Sequence, residues 1–113
     1  YSGVGSLGSL ASANTNGTSG ACAGGLDTSS YSMNLTTSAA NSFVHAAVAK
    51  RAVSHTAGGG FVQQVLVSQG SSSSDIASVV VLDQVIGSPG VVGVAGSFSG
   101  NVDWAVTAVE LMP

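Results

Sequence analysis

The chain has 113 residues, room for one core, since a domain of this length hides about two thirds of the surface its unfolded chain exposes. Hydrophobic residues make up 44% of it, aromatics 5% and charged residues only 6%; Lys50 and Arg51 are the sole cations and the net charge is −3. No basic surface is available to neutralise a phosphate backbone, which argues against nucleic acid as a partner. The longest apolar runs, such as residues 78–82 with their flanks, fall far short of the roughly 20 residues of a spanning helix, and no basic amphipathic helix is present, so membrane insertion is not expected.

Ordinary soluble domains carry about 25% charged residues. Here Ser, Thr and Gly, attached glycans, or burial against identical neighbours must take over that role. The last option points to a homo-oligomer or polymer. A core built from Ala and Val with few aromatics is thin, and suits two β-sheets pressed face to face.

Tyr1 opens the chain without an initiating Met or a signal peptide, as a processed chain or a fragment would. Residues 1–30 are dominated by Gly, Ser, Ala, Asn and Thr, with Val4, Leu7, Leu10 and Leu26 as the only sizeable apolar side chains. Such a segment gains order by packing on its own domain or on a neighbour, and Val4, Leu7 and Leu10 are the candidate subunit contacts. Cys22, the sole cysteine, excludes an internal disulfide and reads as a small inert thiol, with an intermolecular bond still open.

Tyr31, Met33 and Leu35 alternate with Ser32, Asn34 and Thr36, the period of a strand with one buried face. Residues 43–49 are apolar on both faces, as in a central strand, although Asn41-Ser42 before an Ala-rich run could also cap a short helix. Gly58-Gly59-Gly60 punctuates the chain, and the strand predicted over 61–68 places Phe61, Val65 and Val67 on one face, Val62 and Leu66 on the other. After a serine loop at 71–74, a Val-rich strand spans 76–86, and Ser88-Pro89-Gly90 supplies a turn. Strands over 91–98 and 104–112 follow, joined by Ser99-Gly100-Asn101 as an antiparallel hairpin. Trp104, Val106 and Ala108 share one face of the last strand, Val109 and Leu111 the other. The sum is a single all-β domain over 1–113, an antiparallel β-sandwich of the jelly-roll or immunoglobulin-like kind.

Several motifs invite a catalytic or ligand reading. Gly3-x-Gly5-x-x-Gly8 with Asp27 about 20 residues on matches the dinucleotide fingerprint, but no strand precedes it and no helix follows to hold a pyrophosphate. His45 and His55 with Asp27, Asp75 or Asp83 could supply zinc donors, yet the spacing fits no metal motif; His45 reads as a hydrogen-bonded histidine on an apolar strand and His55 as solvent-exposed. A Ser-His-Asp triad lacks a G-x-S-x-G elbow. Asp83, Asp103 and Glu110 lie in or beside strands without a glycosidase-like pairing, and read as solvated surface acids. No catalytic, cofactor-binding or metal residue is assigned, and no enzyme is expected.

Asn16-Gly-Thr18 and Asn34-Leu-Thr36 are N-glycosylation sequons, consistent with an extracellular or cell-surface location. Asn34 falls on the solvent side of its strand. Five pieces, Tyr1-Ser-Gly-Val4, residues 35–41, Gly58-Gly-Gly-Phe61, Asp83 before Ser88-Pro-Gly90, and residues 102–111, together resemble the C-terminal part of a family of β-sandwich domains from prokaryotic and phage surface proteins. The resemblance implies that several earlier strands are missing, so that either the chain is a fragment of a larger sandwich or a strand from a neighbouring subunit completes it, as in donor-strand filaments and pili. The expected role is a structural subunit of an extracellular filament or surface assembly serving adhesion or biofilm. The alternatives are a glycan-binding adhesion module using Tyr31, Trp104 and the serine loop, and a phage decoration or fibre protein.

Overall fold

A computed structural model describes residues 2–15, 17–18, 26–72 and 75–113. Cys22, the sequon at Asn16 and the middle of the serine loop lie outside these residues. Nine strands occur among the described residues: β1 (Ser6–Asn14), β2 (Gly17–Thr18), β3 (Thr28–Thr37), β4 (Ser42–Arg51), β5 (His55–Ala57), β6 (Val62–Gln69), β7 (Ala77–Ile86), β8 (Gly90–Val102) and β9 (Trp104–Met112). They form an all-antiparallel sandwich of unequal halves, a six-stranded sheet in the order β2-β1-β9-β4-β7-β6 against a three-stranded sheet in the order β3-β8-β5.

The period-two pattern of residues 31–37 produces β3 as expected: Tyr31, Met33, Leu35 and Thr37 are buried while the residues between them face solvent. β4, apolar on both sides, is a central strand between β9 and β7. Asn41 enters it from a positive φ of 57°, a conformation Asn tolerates better than most residues, so the preceding segment is a turn and not a helix cap. Val44, Ala46, Val48, Val80, Leu82, Val106 and Ala108 of the large sheet meet Tyr31, Met33, Leu35, Val92, Val94, Phe98 and Val102 of the small one. Most of the core thus consists of small or medium side chains in one thin layer, with Tyr31 and Phe98 as its large members in the small sheet.

Two expectations change and a third is narrowed. Residues 99–101 do not form a hairpin loop: β8 runs on through them to Val102, and β8 and β9 belong to different sheets, with Asp103 alone at the corner. A register irregularity between Gln63 and Val65 inserts one residue into β6, the two-against-one count of a β-bulge. It resets the alternation, so that Val62 shares a face with Val65 and Val67 while Leu66 points the other way. The segment 1–30 contributes a full strand to the chain's own sheet, since β1 pairs with β9 along most of its length.

The unequal strand numbers have a direct consequence. β3 lies against β1 and β9, and β8 against β4, and the three-residue β5 ends the small sheet, its His55 reaching Gln63 of β6. All eight residues of β6 are exposed.

Candidate functional site

The strand registers place the outward side chains of the large sheet in transverse rows, four of them mostly apolar and a fifth, at one end, formed by Gln69, Ala77 and Arg51. Val85, Phe43, Leu111 and Leu7 make the first. Val62, Asp83, His45, Val109 and Leu10 make the second; Val65, Val81, Ala47, Thr107 and Ser12 the third; Val67, Val79, Ala49, Ala105 and Asn14 the fourth. This face carries most of the large exposed apolar side chains described, among them Leu10 at 72%, Val85 at 68% and Leu7 at 67% exposure. Of these row residues Leu111 alone is buried; the others are half-buried or exposed.

The rows are apolar because β4 and β7 are rich in Val and Ala at both parities, a composition suited to strands covered on both sides. Only one side meets the small sheet. The sole ionisable groups in the four rows are His45 and Asp83, and they meet each other, with Nδ1 and Oδ1 2.9 Å apart. β6 at the edge presents Val62-Gln63-Gln64-Val65-Leu66-Val67-Ser68-Gln69 with no charge and no proline, so that of the devices that commonly guard a sheet edge it has the bulge after Gln63.

Beneath that face lies a buried carboxylate that the sequence reading placed at the surface. Glu110 is fully buried. It continues the inward series Trp104, Val106, Ala108, and that alternation was the signal that could have located it. Its oxygens accept from the Ser38 amide at 2.9 and 3.0 Å, the Ala39 amide at 2.9 Å, the Ser38 hydroxyl at 3.0 Å, the Ser42 hydroxyl at 3.2 Å and the Ser9 amide at 3.3 Å. Burial is the largest influence on this carboxyl and works upward, but the combined bonds from Ala39, Ser38 and Ser9 overcome it and hold the group below the ordinary glutamate range. The β3–β4 turn and β1 are thereby tied to β9. Gly8 belongs to the same arrangement: a Cβ there would lie 2.3 Å from a Glu110 carboxylate oxygen, which accounts physically for one glycine of the dinucleotide-like motif.

His55 is not solvent-exposed as expected. It is half-buried, with Nε2 3.0 Å from the Tyr31 hydroxyl and Nδ1 3.0 Å from Gln63 Oε1. Tyr31 also packs on Phe98 and Trp104, with ring centroids 5.6 and 5.7 Å away. Burial pushes the Tyr31 phenol up to about 12. Trp104 Nε1 donates to Thr28 Oγ1 at 2.7 Å. The two histidines thus sit in separate settings, and among the described residues no three His, Cys, Asp or Glu side chains converge.

Of the expected surface positions, Val4, Leu7 and Leu10 are all exposed, the last two on the outward face, and Asn34 is exposed on β3. At the end of the serine loop Asp75 accepts from the Ser72 amide at 2.6 Å and from the Ser71 hydroxyl at 3.0 Å; the bond from the Ser72 backbone is the largest cause of its lowered pKa. One cleft of about 260 Å³ is lined by Asn14, Thr15, Lys50, Arg51, Asp103 and Trp104 among others. Lys50 is spent within it, its ammonium donating to the carbonyls of Arg51 and Val53. No family model, curated protein or solved structure matches the chain.

Proposed function

We propose that the chain is a non-catalytic structural subunit of an extracellular or cell-surface assembly, a filament or thread built from copies of itself. The observation that carries this reading is the outward face of the large sheet, four rows of mostly apolar side chains in which the only ionisable groups, His45 and Asp83, meet each other, with Arg51 beyond them at one end. An exposed apolar patch of this extent marks an interaction surface. Scarcity of charge elsewhere on the chain fits a molecule whose surface is buried by neighbours. The exposed Leu7 and Leu10 support a role for β1 in those contacts, and donation of a strand between subunits remains one way to add to the free edge at β6. Sedimentation and negative-stain electron microscopy of the full chain at micromolar concentration test the reading. Regular particles or filaments are expected; a monomer at every concentration would refute it.

A second reading rests on one observation, the cleft where Trp104 stands beside Arg51, Asp103 and Asn14. An aromatic face next to planar and carboxylate hydrogen-bonding groups suits a sugar ring. The glycan-binding alternative thus depends on this cleft and no longer on Tyr31, which is buried. Calorimetric titration with oligosaccharides, repeated on Arg51→Ala, tests it: binding lost in the variant supports a glycan site, and no heat with any glycan removes it.

A further inference from the structure

We propose that the outward face of the six-stranded sheet docks on the same face of a second copy of this chain, sheet against sheet. The inference rests on the assembly reading above and specifies which surfaces meet.

Size selects this contact over the sheet edge. Five strands at about 4.8 Å spacing and four rows spaced by two residues of about 3.4 Å give a projected area of roughly 600–700 Å². Side-chain relief brings the accessible area close to the ~800 Å² per partner of a stable interface. By the same geometry, pairing through β6 alone covers on the order of half that area, below what a stable contact needs.

Charge selects the partner. The chain carries a net −3, and two copies repel wherever unpaired acids meet. On this face they do not: Glu110 is buried behind it, Asp83 is paired with His45, and Asp27, Asp75 and Asp103 lie outside the four rows. A strongly charged partner finds few charges here to recognise, the His45–Asp83 pair and Arg51 at the end of the face, whereas a second copy offers an apolar, similarly twisted sheet. Two such faces pack at about 10 Å with side chains interdigitating, as the two inner faces of a sandwich do. The His45–Asp83 pair lies within the second row, flanked by Val62, Val109 and Leu10, and can fix the register of docking.

Analytical ultracentrifugation of the full chain across 1–100 µM provides the test, with three variants. Leu10→Asp/Val85→Asp puts charge on the face at two exposed positions on different strands. Val79→Thr/Val85→Thr keeps β-branched shape and folds even where the acidic pair does not. Leu66→Asp puts charge on β6 but on its opposite side. The proposal expects a wild-type dimer or larger species, association weakened at least ~100-fold by the acidic pair and roughly tenfold by the threonines, unchanged far-UV circular dichroism, and Leu66→Asp associating like wild type. Assembly lost in Leu66→Asp but kept in both face variants assigns the contact to the edge and overturns this inference while leaving the assembly reading intact. A wild-type monomer, including one that floats with neutral phosphatidylcholine vesicles, overturns both.

Discussion

Replacing Glu110 by Gln removes one acceptor and the charge from a site with five donor groups and full burial. Whichever oxygen becomes the amide nitrogen, it faces donors: Ala39 N–H and the Ser42 hydroxyl on one side, Ser9 N–H and the Ser38 hydroxyl on the other. A hydrogen bond to a charged group contributes about 1.5–3 kcal/mol, and a buried donor left without its partner costs about 1–3 kcal/mol. The expected loss is about 3–5 kcal/mol, a large share of the ~5–15 kcal/mol that stabilises a domain. Urea unfolding followed by the fluorescence of Trp104, at one fixed protein concentration because association shifts apparent stability, measures it. With an m-value of about 1–3 kcal/mol/M the midpoint falls by at least ~1 M.

The same side chain sets an acid limit. Its folded pKa is depressed, so as pH drops the unfolded chain binds the proton first. The stability it contributes is therefore fully present above the ordinary glutamate value of about 4.3, and is lost as pH falls toward the folded value. Glu110→Gln should flatten that acid slope. A midpoint within ~0.5 kcal/mol of wild type and an unchanged slope would refute the assigned role of the carboxylate.

Tyr31→Phe removes the bond to His55 and should cost about 1–2 kcal/mol in the same assay, from the lost bond and the half-buried imidazole left behind. Because the Tyr31 phenol is raised to about 12, wild-type stability should hold up to the unfolded value of about 10 and decline above it, and ultraviolet titration should show one phenol ionising late. Gly96→Ala places a Cβ 2.6 Å from the Tyr31 hydroxyl and 2.8 Å from His55 Nε2; a loss of about 1–3 kcal/mol by thermal melting is expected, and a neutral result would show that the cluster can shift aside. Leu82→Ala, at a fully buried position, should lower stability by about 2–5 kcal/mol; a smaller loss would mean that the thin core collapses around the cavity.

Much of the local structure was readable from the residues. Tyr31, Met33 and Leu35 announce β3 because a two-residue period is a property of the strand itself. The turn chemistry of 58–60 and 88–90 marks real strand ends for the same local reason. What escaped was decided at a distance. Glu110 reads as a surface acid until Ser38 and Ala39 arrive from more than 70 residues away to satisfy it. The irregularity after Gln63 belongs to the pairing of β6 with β7 and changes which of Val62 and Leu66 faces outward. His55 looks exposed beside its glycine turn because nothing local announces the Tyr31 hydroxyl against which it rests.

By itself the sequence determined an all-β chain of short strands, a thin core of small side chains, and a surface too poor in charge to resemble an ordinary soluble domain. Which apolar face is core and which is left open was not in the sequence, because β4 and β7 are apolar at both parities and alternation cannot choose between two apolar sides. The division of nine strands into six and three decided it. A three-stranded sheet covers only part of one side of a six-stranded one, and among the described residues no strand lies over the opposite side.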